Sequence, residues 1–247
     1  MIPYVRRKQI LEAMQNKEIV YFEELANALN VSLATIRRDL ISLSEDDLIT
    51  ILKGGAAQLK QNVMERSLNE KLKINEEEKS KLGIYAATLV NEGDFIYLGP
   101  GTTEHWMIKH LKDKNVTVVT NGAFHLDELR RNNIETIVLG GIMNNRIAVI
   151  TGAEALKQVD GMNFDKSFLG VSGFTIEHGA MTSDEGVSNI NRAAMKNSNK
   201  TYILLDSTKL GITSRFVYAK TDTKARLITT SKADIKYRKL KNFMTIE

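Results

Sequence analysis

The chain contains no cysteine. That excludes disulfide bonds and thiolate chemistry, and it fits a cytoplasmic protein. No apolar run among its 247 residues approaches the length of a membrane span, so no membrane partner is expected. The first residues, MIPYVRRKQILEAM, carry early charges. They lack the long apolar core and small-residue cleavage site of a signal peptide. Histidine is scarce, with four residues. His105 and His110 do not share a helix face, and His125 and His178 stand alone, so no metal site is expected. Each histidine reads as an ordinary surface or packing residue. A concentrated charge of one sign is also missing where it would matter most. The net charge is +4, yet residues 1–60 hold eight Lys/Arg and eight Asp/Glu. Most of the surplus lies in the tail, KARLITTSKADIKYRKLKNF, which reads as a solvated helix or loose end. Overall basicity therefore says little about nucleic acid. At 43% hydrophobic and 26% charged, the composition is that of a soluble globular protein with enough chain for a real core.

The N-terminal segment is organised. VRRKQILEAMQNK carries Ile10, Leu11 and Met14 at helical spacing. In YFEELANALN, residues Phe22, Leu25, Ala26 and Leu29 mark one helix face. Asn30 stands where a helix C-cap belongs, because Asn tolerates the left-handed region. Ser32 is a good N-cap for the next helix. There Leu33, Ile36, Leu40 and Leu43 form an apolar stripe. Ala34 and Arg38 point the other way, flanked by Thr35 and Arg37. A recognition helix needs such a face: small residues allow close approach to the major groove, Thr reaches bases or phosphates, and Arg forks onto guanine. LITILKGGAAQL then reads as a β-hairpin wing with Lys53 at its tip. The competing reading is a generic three-helix bundle.

VSLATIRRDLISL followed by ITILKGGA resembles the signature of the DeoR family of bacterial transcription regulators. The resemblance implies that Ser32, Thr35, Arg37 and Arg38 act on operator double-stranded DNA. Two positions depart from the family pattern. Lys53 replaces the usual His, which keeps a donor and makes the charge permanent. Asp47 stands where the family usually has Gly, which bears on the turn into the wing.

Highly charged sequence follows, and the expected division is 1–60, a linker over 61–75, and 76–247. A helix is expected near Asn75, with acidic residues in its favourable first turn. Beyond it, strand-like DFIYL, VTVVT, ETIVLGG, KSFLGVSG, TYILLDS and ARLITT alternate with helical TTEHWMIKHLKD, HLDELRRN, GAEALKQV and NINRAAMKNSN. That predicts an α/β domain with a mostly parallel sheet. Ligands of such sheets sit at the carboxyl ends of strands. The residues there are Gly99-Pro100-Gly101-Thr102-Thr103, Asn121, Gly141, Ser172-Gly173 and Asp206 to Lys209. Small residues and Thr hydroxyls suit phosphate oxygens. Lys209 adds a point charge, and Asn121 and Asp206 suit sugar hydroxyls. For any one loop, the competing reading is a glycine that only makes a turn.

NEEEKSKLGIYAATLVNEGDFIYLGPGTT, VTVVTN, IVLGG, FDKSFLGVSGF, GAMT and LLDSTKLG resemble, in order, the effector domain of DeoR-type repressors. That domain is itself similar to ribose-5-phosphate isomerases. The resemblance implies a phosphate loop at Gly101, Thr102 and Thr103 and a site lysine at Lys209. The form GPGTT resembles repressors of the lactose phosphotransferase system, which sense tagatose 6-phosphate. The isomerases' acidic run falls on Gly170, Ser172 and Gly173, and their Glu-Lys pair on Asn191-Arg192. The acid–base equipment is therefore missing, and only Asp184 and Glu185 stand near as replacements. GPGTTEH lacks the third glycine of a dinucleotide fingerprint, so no cofactor is expected. Trp106 reads as packing behind the loop.

The expectation is a repressor of a sugar catabolic operon. It has a winged helix-turn-helix and an α/β domain that binds a phosphorylated sugar and assembles a homo-dimer or homo-tetramer. The alternatives are an isomerase-like enzyme with an appended DNA-binding domain, and a constitutive DNA-binding protein with an inert structural domain.

Overall fold

A computed structural model describes residues 2–14, 17, 19–45, 48–59 and 72–247. The chain forms two compact units, Met1–Arg66 and Ser67–Glu247. Asp47 and most of the expected linker lie outside the described residues.

In the first unit, helices α1 (Pro3–Met14), α2 (Phe22–Leu29) and α3 (Leu33–Glu45) enclose Ile10, Met14, Phe22, Leu25, Ile36, Leu40 and Leu43. Asn30 ends α2 in the left-handed region, at φ 51°. The apolar stripe of α3 is shorter than its spacing suggests, because Leu33 is 43% exposed. Asp39 is buried instead. Arg6 Nε donates to its Oδ2 at 2.5 Å and Nη2 to its Oδ1 at 3.2 Å, a fork that fastens α1 to α3. Strands β2 (Ile49–Leu52) and β3 (Ala56–Leu59) form the expected hairpin, and β1 (Val20–Tyr21) pairs with the other side of β3. The turn between them needs Gly54 and Gly55, both at positive φ.

The second unit holds seven parallel strands. They are β4 (Phe95–Leu98), β5 (Thr117–Thr120), β6 (Glu135–Val138), β9 (Phe164–Gly170), β12 (Ser198–Leu204), β14 (Arg226–Thr230) and β15 (Phe243–Ile246). Their spatial order is β15-β14-β12-β9-β4-β5-β6. Successive residues feed two cores: Tyr97, Val119, Leu169 and Ile203 face one, while Ile96, Leu98, Val118, Phe168 and Leu204 face the other. Burial on both sides explains the near-continuous apolar runs. Helix α4 (Glu76–Thr88) covers one face through Leu82 and Ala86, and α8 (Glu185–Lys196) covers the other through Ile190 and Ala194.

Three expectations need correction. The tail is not a loose end: β14 and β15 extend the sheet, and Tyr237 and Phe243 are buried. TTEHWMIKHLKD is not one helix but a short α5 (Thr102–His105) followed by a 3-10 turn at Ile108–His110. A hairpin, β7 (Ile142–Asn144) with β8 (Val149–Thr151), and an antiparallel sheet of β10 (Gly173–Thr175), β11 (Gly179–Thr182) and β13 (Phe216–Ala219) were not expected. The chain runs outward from β4 through β5 to β6, then returns to β9 on the other side of β4. The switch point therefore lies between β4 and β9, where open α/β sheets bind ligands.

Candidate functional site

The outer face of α3 is set by its cap. Ser32 Oγ accepts the Thr35 N–H at 3.2 Å, and the two hydroxyls lie 2.9 Å apart. Ala34, Arg37 and Arg38 are exposed, Thr35 is half-buried, and Lys53 is exposed at the hairpin turn. The core-facing residues Ile36, Asp39, Leu40 and Leu43 leave these side chains no inward alternative.

At the switch point, the loop after β4 is held from two sides. Gly99 N–H donates to the Phe168 carbonyl at 2.8 Å. His125 Nε2 lies 3.2 Å from the Gly101 carbonyl, and its Nδ1 lies 3.4 Å from Thr120 Oγ1. Thr120 Oγ1 also accepts the Gly122 N–H at 3.0 Å. One proton assignment satisfies all three contacts: the Thr120 hydroxyl donates to Nδ1, and Nε2–H donates to Gly101. Burial, with His105 nearby, pushes the imidazole down to about 3, despite the bond to Gly101. His125 is therefore a neutral brace of the loop and not a solitary surface residue.

Glu104 was not singled out from the sequence. It is fully buried. Its carboxyl fills the space that three glycines leave open. A Cβ at Gly99 would lie 3.1 Å from Oε1, one at Gly170 would lie 2.7 Å from Oε1 and 2.8 Å from Oε2, and one at Gly101 would collide with Oε2. Among the described residues, neither carboxyl oxygen has a hydrogen-bond partner of ordinary geometry. Burial raises the group to about 8; the N–H of Glu104 itself, the Lys79 charge and the Gly170 N–H offset only part of that. The side chain is thus mainly a neutral acid at pH 7. Asp184, one of the two acids expected near the loop, caps α8: its Oδ1 accepts the Val187 N–H at 2.9 Å.

The loop after β12 is tied to the start of α4. Asp206 Oδ1 accepts from Thr208 N–H at 3.1 Å, from the Thr208 hydroxyl, and from Asn75 Nδ2 at 3.0 Å. Asp206 Oδ2 is buried without a hydrogen-bond partner among the described residues. Asn75 Nδ2 also donates to Glu78 Oε1 at 2.9 Å. Ser207 gives its hydroxyl to Oε1 at 2.7 Å and its N–H to Oε2 at 3.0 Å, and the Thr230 hydroxyl donates to Oε2 at 2.5 Å. Burial pushes Glu78 up, but these hydrogen bonds outweigh it and hold the carboxyl below its usual range. Lys209 closes the same turn, its N–H on the Asp206 carbonyl at 3.0 Å.

The remaining expected residues sit in tight local packing. Asn121 accepts from the Tyr97 hydroxyl at 2.8 Å and donates to the Ile150 carbonyl at 3.0 Å. Gly141 lies against Thr151 at the end of β8 and Ala155 in the helix Ala153–Asp160 that follows, and Gly173 against Ile212. Ser172 donates its N–H to the Met181 carbonyl at 2.8 Å. Thr102 is half-buried and Thr103 buried. Trp106 packs against Gly83, behind the loop.

Residues 6–62 match the model of the DeoR-like helix-turn-helix domain. Residues 74–231 match the DeoR C terminal sensor domain. The chain belongs to the DeoR family. It is a DNA-binding transcriptional regulator with a family sensor domain. It is 37% identical to the HTH-type transcriptional regulator FruR of Bacillus subtilis, covering 96% of this chain and 94% of that protein. It is 31% identical to the lactose phosphotransferase system repressor of Lactococcus lactis, covering 83% of this chain and 82% of the relative. Ribose 5-phosphate isomerase A of Methanocaldococcus jannaschii matches 55% of each chain with a TM-score of 0.41 and 21% identity, a likeness too distant to carry an argument.

Proposed function

We propose that this DeoR-family regulator represses a sugar catabolic operon and is released from its operator by a phosphorylated sugar. The observation that carries the reading is the loop Gly99–Thr103. It opens at the switch point between β4 and β9 and is braced by buried His125. Beyond β9 the next strand, β12, is followed by Asp206 and Lys209. In this reading Gly101, Thr102, Thr103 and Lys209 hold the phosphate. Asp206, with its unpartnered oxygen, faces a sugar hydroxyl. The likeness of GPGTT to lactose-system repressors makes tagatose 6-phosphate, from lactose or galactose utilisation, the first effector to try. Ser32, Ala34, Thr35, Arg37, Arg38 and Lys53 meet operator DNA in the cytoplasm.

The same geometry favours sensing over turnover. An aldose–ketose isomerase needs a carboxylate base, and Glu104 is buried and mainly protonated at pH 7. Paired half-sites call for paired recognition helices. Ile137, Val138, Ile142 and Met143 are exposed on edge strand β6 and hairpin strand β7. They offer an apolar surface for a homo-dimer or homo-tetramer.

The response must reach the DNA-binding unit through residues before α4. Asn75 and Glu78 hang directly on Asp206 and Ser207. An effector that draws Lys209 and Asp206 inward therefore pulls on the start of α4 and re-aims the linker that precedes it. Calorimetry with a panel of sugar phosphates tests the site. The double variant Thr102→Ala, Lys209→Ala is expected to lose binding while keeping its fold. Normal binding by that variant would place the effector elsewhere.

A further inference from the structure

Glu104 is a group that the phosphate reading leaves without a task. Its position is expensive. A buried polar group without a well-formed hydrogen bond is costly, and the Glu104 N–H, the Gly170 N–H and the Lys79 charge offset only part of that cost. As the third residue of α5 it stands where a glutamate ordinarily caps the helix by reaching back to the N–H of the residue before it, here Gly101. No such bond forms. The carboxyl neighbours Tyr97 and Tyr218 of one core. It lies against Gly99 and Gly101 from the loop after β4 and against Gly170 at the end of β9. Three backbone positions, from both sides of the switch point, give up their side-chain room to one carboxyl. The cradle is rigid. Gly99 is fastened to Phe168, Gly101 to His125, and the Gly170 carbonyl accepts the Tyr218 hydroxyl at 2.8 Å.

We propose that Glu104 is the effector-discriminating residue, its carboxyl hydrogen-bonding hydroxyl groups on the carbon skeleton of the phosphorylated sugar. The inference rests on the effector site proposed above. It adds a division of labour: the loop and Lys209 take the phosphate, and Glu104 decides which phosphate ester is accepted. A neutral carboxylic acid suits the post, because it both donates and accepts and does not repel the phosphate beside it. A site whose buried polar group is left unpaired by the wrong ligand rejects that ligand strongly. Inorganic phosphate, with no carbon skeleton, leaves Glu104 unpaired.

The test compares the full-length wild-type chain with Glu104→Leu and Glu104→Gln by calorimetry. The probes are inorganic phosphate, tagatose 6-phosphate, fructose 1-phosphate, fructose 6-phosphate and glucose 6-phosphate. The expected pattern is a sugar phosphate that binds wild type more tightly than inorganic phosphate does. Leucine should weaken that sugar phosphate at least about tenfold and leave inorganic phosphate unchanged. Glutamine, which keeps a donor and an acceptor, should stay close to wild type. Equal losses for sugar phosphate and inorganic phosphate in Glu104→Leu would make Glu104 a structural support and overturn the proposal, as would no loss at all. Wild type that binds none of the probes would sink the effector site itself, and the proposal with it.

If the leucine variant does not fold, the wild-type and glutamine chains decide between pH 7 and pH 9. The groups facing Glu104 are Lys79 on α4, Tyr97 on β4 and Tyr218 on β13, and both tyrosines are raised by burial above their usual range. Neither tyrosine therefore ionises between those pH values, and burial places the Glu104 step there. Wild type should lose sugar-phosphate affinity as pH rises and Glu104→Gln should not. Parallel profiles would refute the assignment.

Discussion

Replacing Glu78 by glutamine tests the link between effector site and linker with a change of one atom. Each carboxylate oxygen of Glu78 accepts two hydrogen bonds: Oε1 from Asn75 and the Ser207 hydroxyl, Oε2 from the Ser207 N–H and the Thr230 hydroxyl. In Glu78→Gln one oxygen becomes an NH2. The two hydroxyls can rotate and accept from it. The Ser207 N–H cannot, and Asn75 can turn its amide only by dropping Asp206. One donor is therefore left facing a donor in a buried site, whichever way the glutamine points. Losing one charge-assisted bond there costs about 1.5–3 kcal/mol. For a unit of this size that is roughly 2–4 °C of melting temperature per kcal/mol. The sole tryptophan, Trp106, belongs to the second unit, so its emission reports the unfolding of that unit alone. The expected result is a lower melting temperature with DNA affinity retained and the effector response weakened. An unchanged melting temperature would refute the hydrogen-bond reasoning. A full effector response from a clearly destabilised variant would refute the coupling.

Gly83→Ala would place a Cβ 2.5 Å from Trp106 Cβ and 2.7 Å from its carbonyl carbon; overpacking of that kind costs about 1–3 kcal/mol, read as a lower denaturation midpoint and a shifted Trp106 emission. Arg37→Ala or Arg38→Ala should weaken operator binding by about 1–3 kcal/mol if the side chain reads a base, with unfolding unchanged. Lys53→Ala should instead reduce the salt dependence of binding by about one unit of slope if Lys53 pins a phosphate. His125 predicts acid sensitivity: the folded state holds its imidazole at about 3 and the ordinary value is 6.5, so the unfolded state binds the extra proton between them. Stability should therefore fall as pH drops from about 6.5 towards 3; denaturant melts of His125→Gln should show a shallower decline over that window.

The sequence speaks most clearly where one physical demand acts alone. Strands buried on both faces read as apolar runs, so β4, β5 and β14 are legible from composition. The cap at Ser32 and the left-handed Asn30 follow from local backbone preference. The tail misleads because its charges point outward while Tyr237 and Phe243 hold it to the core. The sheet of β10, β11 and β13 escapes notice because β11 is buried at every position and shows no alternation. Glu104 and His125 are hidden for another reason. Their meaning depends on the other loops brought to the switch point by β5 and β9, contacts no local pattern encodes. One signal was present for Glu104: an acidic residue directly after a Gly-Thr-Thr run, where anion binding would discourage a negative charge. Asp39 is the reverse case. It sits between exposed Arg38 and buried Leu40, and no local pattern shows that it pairs with Arg6 inside the unit.

The most direct measurement is fluorescence anisotropy of the full chain on DNA from upstream of its own operon, at stated salt because phosphate contacts make affinity salt-dependent. It is repeated with each sugar phosphate and with the matching unphosphorylated sugar. The account predicts that one sugar phosphate weakens DNA binding by about 5- to 150-fold, while its unphosphorylated form does nothing. DNA binding that no sugar phosphate alters would contradict it.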